Sequence, residues 1–180
     1  KEEKELTRQE YIRLVETAQK KGNIRLSLVI QTICATGIRV SELQFITVEA
    51  LRKGCAEVNC KGKRRIIFLP EKLQKLLLKY AKNHGIGEGH VFITKGGHPL
   101  NRSNIWADMK KLCMEAQVSP EKVFPHNLRH LFARTFYSLE KDIAKLADLL
   151  GHSSIETTRI YIMESGKEHR RRLNQMRLVW

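Results

Sequence analysis

The spacing of apolar residues constrains this chain more than any other feature. The interval is three or four residues almost everywhere, and it gives way to a strand-like pattern only in residues 54–70. Helical spacing begins with Thr7 followed three residues later by Glu10, a pair whose side chains satisfy backbone N–H groups at a helix start. Tyr11, Leu14, Val15 and Ala18 then line one face, and the helix should end near Gly22. A second apolar stretch, residues 24–35, closes at Thr36-Gly37, and a short helix is expected from about Ser41 with Ser41 as its cap. Arg39 then lies in the connection just before a helix start.

In residues 54–70 the composition turns β-branched and basic. The pattern predicts a hairpin with strands at 55–59 and 65–69 around a turn at Lys61-Gly62-Lys63. Pro70 stands at the start of the next helix, expected over 71–84 with Leu73, Leu76, Leu77 and Tyr80 as its apolar stripe. The glycine-rich residues 85–97 read as a loop around a short extended piece at 91–94. Beyond Asn101 the spacing predicts helices over 103–116, 126–139, 142–150, 154–162 and 164–176. With no internal repeat and no low-complexity linker, the expectation is one domain spanning 1–180. Its class is mainly α with a small antiparallel β-sheet (α+β).

Charge narrows the partners. Lys and Arg number 33 against 19 Asp and Glu, a formal net charge of +14, which points to a polyanion: nucleic acid first, an acidic membrane surface second. No apolar run approaches the roughly 18 residues that span a bilayer, so no membrane insertion is expected. Cys34, Cys55, Cys60 and Cys113 form no C-x-x-C pair, a pattern suited to reduced thiols in a cytoplasmic protein. The chain starts at Lys rather than Met, which suggests a fragment of something longer.

Three local features carry chemistry. Arg39 stands in Ala35-Thr36-Gly37-Ile38-Arg39-Val40-Ser41-Glu42-Leu43. His126 and Arg129, three apart on one helix face, stand in Pro125-His126-Asn127-Leu128-Arg129-His130. Gly151-His152 ends one helix, and Tyr161 ends the next. Cutting a phosphodiester by in-line displacement requires a nucleophile, cations on the non-bridging oxygens and a proton for the leaving oxygen. Two arginines can clamp a phosphate through forked hydrogen bonds, which suits Arg39 and Arg129. A tyrosine with a pKa of about 10 needs a base or nearby cations before it attacks at neutral pH, and His126 and His152 are suited to help.

In order and spacing these residues resemble the tyrosine recombinase, or integrase, family over nearly the whole chain. The resemblance implies that Arg39, Lys61, His126, Arg129, His152 and Tyr161 are the catalytic set, with Lys61 on its turn as general acid to the leaving 5′ oxygen. It further implies a 3′-phosphotyrosyl intermediate in site-specific DNA recombination and integration, with double-stranded DNA as partner and self-association as a tetramer on it. The C-terminal segment, basic at Arg170-Arg171-Arg172 and apolar at Leu178-Val179-Trp180, either packs back on its own domain or, as the resemblance implies, is exchanged between protomers, and no cofactor or metal would be required. A phage, a conjugative transposon and chromosome-dimer resolution are all compatible settings.

Each residue also has a plainer reading. Tyr161 suits a half-buried packing role, and Arg39 suits an ion pair with Glu42, which is itself read as orienting a catalytic group. Lys63 is the alternative to Lys61, because this chain has Cys60 where the family commonly has Gly before its turn lysine. His126 and His130 have the spacing of zinc ligands on a helix, but the zinc-protease pattern needs Glu at position 127, where Asn127 stands; His130 is therefore read as structural. Arg102, Lys110 and Lys111 suit either DNA-backbone contacts or a solvated face. The competing functions are type IB topoisomerase-like DNA relaxation, a non-catalytic basic DNA-binding module and, more distantly, a metal-dependent hydrolase.

Overall fold

The computed structural model describes residues 4–60, 62–152, 154–162 and 166–179. Helix α1, Arg8–Lys20, starts as its sequence dictates. Thr7 Oγ1 accepts from the Glu10 N–H at 3.1 Å, Glu10 Oε1 accepts from the Thr7 N–H at 3.0 Å, and Leu14 and Ala18 are buried. Helix α2, Ile24–Thr36, is apolar on nearly every face because it runs through the core, burying Leu26, Leu28, Val29, Ile30 and Ile33. Each such Leu or Ile contributes roughly 1.5–3 kcal/mol. Its stop at Gly37 is doubly specified: φ is +72°, and a Cβ there would meet the Phe132 ring at 2.6 Å.

The following segment differs from expectation. Val40–Phe45 is a 3-10 turn capped two residues earlier than predicted: Arg39 precedes it, Glu42 Oε1 accepts from the Arg39 N–H at 2.9 Å, and Ser41 is exposed within the turn. The physical reason is that the buried Glu42 carboxylate satisfies the Arg39 N–H and so fixes the start of the turn at Arg39. Helix α3, Val48–Lys53, capped by Thr47, was not expected; six residues are too few for a helical period to stand out.

Strands β1, Cys55–Cys60, and β2, Lys63–Phe68, pair antiparallel with Cys60 opposite Lys63, and Gly62, just before β2, has φ +77°. Ala56, Val58 and Ile67 face the core. Helix α4, Glu71–Asn83, buries Leu73, Leu77 and Tyr80, whereas Leu76 lies at the exposed margin of the stripe. The loop after it buries Val91 and Phe92 and is tied by bridges from Thr47 to His90 and from Ile93 to Pro99. Where one helix was expected there are two, α5, Arg102–Lys111, and α6, Cys113–Ala116. They part at Leu112, whose N–H bonds three residues back to Met109.

Helix α7, Pro125–Leu139, begins with a proline whose missing N–H costs nothing in the first turn. Helices α8, Ile143–Leu150, and α9, Ile155–Tyr161, are capped by Asp142 and Ser154, and α10 runs Gly166–Gln175. Leu128 and Leu131 of α7 join the main core. Ala133, one helical face away, joins a smaller cluster with Leu146, Leu150, Tyr161 and Ile162, flanked by Phe132 and Phe136. Helix α7 is thus the wall between two cores, and Tyr161 belongs to the smaller one. At the end of the chain Leu173, Met176, Leu178 and Val179 are all exposed, so α10 does not lay an apolar face on its own domain.

Candidate active site

Arg129 is the most enclosed member of the site. It is 4% exposed, and its Nε and Nη2 donate to the Gly37 carbonyl at 2.7 Å and the Leu150 carbonyl at 2.8 Å. Those oxygens lie at the C-terminal ends of α2 and α8, where helix carbonyls lack partners and the helix dipole is negative, so a cation is favoured there. Burial lowers the Arg129 pKa to about 10, and the neighbouring charges of Arg39 and Arg65 act in the same direction; the side chain is still charged at neutral pH.

Arg39 reaches the same place from the turn after α2. Its side chain is 34% exposed and lies 3.6 Å from Glu42 Oε2. Glu42 is 2% exposed and is held by a second guanidinium: Arg65 Nη2 donates to Oε1 at 2.8 Å, Arg65 Nη1 to Oε2, and Arg65 Nε to the Leu149 carbonyl at 3.2 Å. Burial alone would raise the Glu42 carboxyl, but the Arg65 hydrogen bonds and the Arg39 N–H together hold it below its ordinary value.

Tyr161 closes the site. Three imidazoles surround its ring, with centroids at 4.1 Å for His130, 4.7 Å for His152 and 5.0 Å for His126, while the Arg129 guanidinium carbon lies 5.7 Å from the ring centre. Its hydroxyl is 3.3 Å from His126 Nδ1. His152 Nδ1 is 2.8 Å from the hydroxyl of Thr158, which is fully buried one helical turn before Tyr161. Gly151 makes this packing possible: φ is +74°, and a Cβ there would sit 2.8 Å from Arg65 Cδ and Nη1.

Burial, and after it the surrounding positive groups, keep all three imidazoles neutral. His126 is lowered from its ordinary value, with Arg129, Arg102 and Arg39 adding to the effect of burial, and His130 and His152 are each lowered to about 4. At neutral pH each ring can therefore accept a proton. His126 is the one whose Nδ1 faces the Tyr161 hydroxyl.

The structure thus gathers Arg39, His126, Arg129, His152 and Tyr161 in one place. Lys61 lies outside the described residues; Lys63 is exposed on β2. His130, expected to be structural, packs on the Tyr161 ring, and its Nε2 is buried with no hydrogen-bond partner among the described residues. Asn127 points elsewhere, its side chain donating to the Lys4 and Lys122 carbonyls at 2.8 Å each. Among the described residues no group of three or more His, Cys, Asp or Glu is placed to hold a metal ion. Glu42, read from the sequence as orienting a catalytic group or lying on a solvated helix face, is buried, with Arg65 on both of its oxygens and Arg39 at 3.6 Å. Arg65 and Thr158 were missed. The signal for Arg65 was available, because strand alternation puts it on the same face as buried Ile67.

The family described as "Phage integrase family" matches residues 4–168. The chain is 34% identical over 168 residues to the tyrosine recombinase XerD of Xanthomonas axonopodis pv. citri, covering 85% of this chain and 55% of that protein. A crystal structure of XerA recombinase superposes with a TM-score of 0.80 at 27% identity, covering 98% of this chain and 64% of that one. A post-cleavage complex of the XerH site-specific recombinase bound to palindromic difH substrate superposes with a TM-score of 0.77 at 25% identity, over 94% of this chain and 52% of that one. The chain spans about half the length of the curated relatives it matches.

Proposed function

Because this chain belongs to the phage integrase family, we propose that residues 1–180 form the catalytic domain of a site-specific recombinase that cuts and rejoins DNA through Tyr161. The observation that carries the reading is the placement of the Tyr161 hydroxyl 3.3 Å from a neutral His126, beside the buried cation Arg129.

In this mechanism the phosphate is clamped by Arg39 and Arg129, whose charges offset the negative charge that builds on its non-bridging oxygens. His126 takes the phenol proton as the Tyr161 oxygen bonds to phosphorus and the bond from phosphorus to the 5′ oxygen breaks. Lys61, on the hairpin turn, supplies the proton to that leaving oxygen. The products are a 3′-phosphotyrosyl link and a free 5′ hydroxyl. Attack by a 5′ hydroxyl from a second strand reverses each bond change and returns the proton to Tyr161. The covalent link retains the phosphodiester energy, so the cycle needs no cofactor. His152, hydrogen-bonded to Thr158 within α9, ties the phosphate end of the site to the helix that carries the nucleophile.

The partner in this reading is double-stranded DNA, bound by several copies together. The XerH relative was solved on its DNA substrate, and the basic surface of this chain suits the same polyanion. Exposed Leu173, Met176, Leu178 and Val179 support a tail that docks on a neighbouring protomer. The free thiols Cys34, Cys55 and Cys113 suit a cytoplasmic setting, and no helix among the described residues is long and apolar enough to cross a membrane.

A nicked suicide substrate tests the reading. The wild-type chain is expected to form a covalent adduct whose linked peptide contains Tyr161, and Tyr161→Phe to bind the same DNA within threefold while forming none. An adduct at another residue, or one that persists in the phenylalanine variant, sinks the assignment.

A further inference from the structure

Glu42 is a buried carboxylate with two arginines beside it, and they hold it differently. Arg65 engages both oxygens through its fork, is 12% exposed, spends Nε on the Leu149 carbonyl and packs against Gly151. Arg39 stands off at 3.6 Å and keeps a third of its side chain in solvent. A buried carboxylate takes the best fork available, since a charge left unpaired in the interior is strongly destabilising. Arg65 comes from a different element, and its bidentate grip leaves Arg39 only the outer edge of Glu42.

We propose that Arg65 is a positioning residue that saturates Glu42 and thereby leaves the Arg39 guanidinium free for a DNA phosphate. The inference rests on the strand-cleavage reading above. Without Arg65, Glu42 draws Arg39 into a close bidentate pair three residues away, and the phosphate clamp loses one of its two arms. All three guanidinium nitrogens of Arg65 are engaged by Glu42 and the Leu149 carbonyl, whereas Arg129 spends only Nε and Nη2 on carbonyls, so Arg65 does not itself serve as the phosphate ligand.

The experiment compares Arg65→Gln, Glu42→Gln and the double variant by thermal melting, by the salt dependence of DNA affinity and by single-turnover adduct formation on the nicked substrate. Arg65→Gln is expected to slow adduct formation at least 30-fold and to reduce the slope of log affinity against log salt by about 1, the signature of one lost phosphate contact. Adding Glu42→Gln removes the charge that captures Arg39, so the double variant recovers at least tenfold in rate and regains the lost slope. A merely structural Arg65 predicts the opposite, a double variant no better than Arg65→Gln, and that result overturns the proposal. If Arg65→Gln melts below the assay temperature, the double variant is compared with Glu42→Gln alone. Agreement within threefold in rate and in slope supports the proposal, and a tenfold deficit overturns it. The salt slope needs no cleavage, so a wild-type chain that binds DNA without forming an adduct overturns the cleavage reading while the slopes still judge Arg65.

Discussion

At Arg129 a guanidinium joins the ends of two helices, and its fork is matched to two carbonyls that no other side chain is seen to satisfy. Lysine cannot reproduce two divergent donors. Arg129→Lys is therefore expected to lower stability by about 2–4 kcal/mol in chemical denaturation, from one unpaired carbonyl and a poorly held buried charge, and to cut adduct formation more than 100-fold. The histidines around Tyr161 carry the pH dependence. His130 and His152 have folded values of about 4, against about 6.5 in an unfolded chain, so the unfolded state binds more protons between those values. Stability is thus fully present above about pH 6.5 and is lost as pH falls toward 4; Glu42, also lowered, adds a loss further into acid. The melting temperature should be level from pH 8 to 6.5 and decline below. His130→Phe, which also removes the unpaired Nε2, should make that decline shallower.

At the scale of elements, the joint between α8 and α9 decides how Tyr161, the proposed nucleophile, is presented. Gly151 must adopt a positive φ and must also leave room for Arg65, so Gly151→Ala suffers backbone strain and a clash together. A loss of about 2–3 kcal/mol in thermal or chemical unfolding is expected. Adduct formation should fall further than DNA affinity, because the Arg65 that is pushed aside holds Glu42. Helix α1 is the contrasting case. Thr7→Ala removes a cap whose hydrogen bond is made to Glu10 and should cost about 1 kcal/mol in the same unfolding assay, with the adduct rate per folded molecule unchanged.

For the whole molecule, an excess of 14 positive charges sets the reach of the proposed interaction with DNA. With six to ten phosphates engaged, affinity is expected to fall by about three to five decades between 50 and 200 mM salt, as read from binding isotherms. A slope of zero would remove DNA as the partner. Truncation before Leu173 tests the exposed tail: occupancy of a single site should change little, while complexes of several protomers on paired sites should weaken in gel-shift assays, because the apolar residues Leu173, Met176, Leu178 and Val179 would no longer cover one another's neighbours.

Much of this was legible before any fold was known, and for local reasons. The capping pair at Thr7 and Glu10, the glycine stops at Gly37 and Gly151, the hairpin and the helical spacing are settled within a few residues of sequence, where propensity and period act. The order Arg39, His126-x-x-Arg129, Gly151-His152, Tyr161 was likewise readable, because each motif sits at a local start or stop signal. Short α3 and the break at Leu112 were not, since a six-residue helix and a one-residue tightening leave no periodic trace. Nor could spacing along the chain pair Arg65 with Glu42, 23 residues away, or bring His130 against Tyr161. Those contacts exist because α7 divides two cores and brings the ends of α2 and α8 to one arginine. The sequence by itself determined most of the elements and the candidate site groups; only tertiary packing decided which cation each buried carboxylate and carbonyl would take, because that choice depends on burial, and burial is a property of the assembled chain.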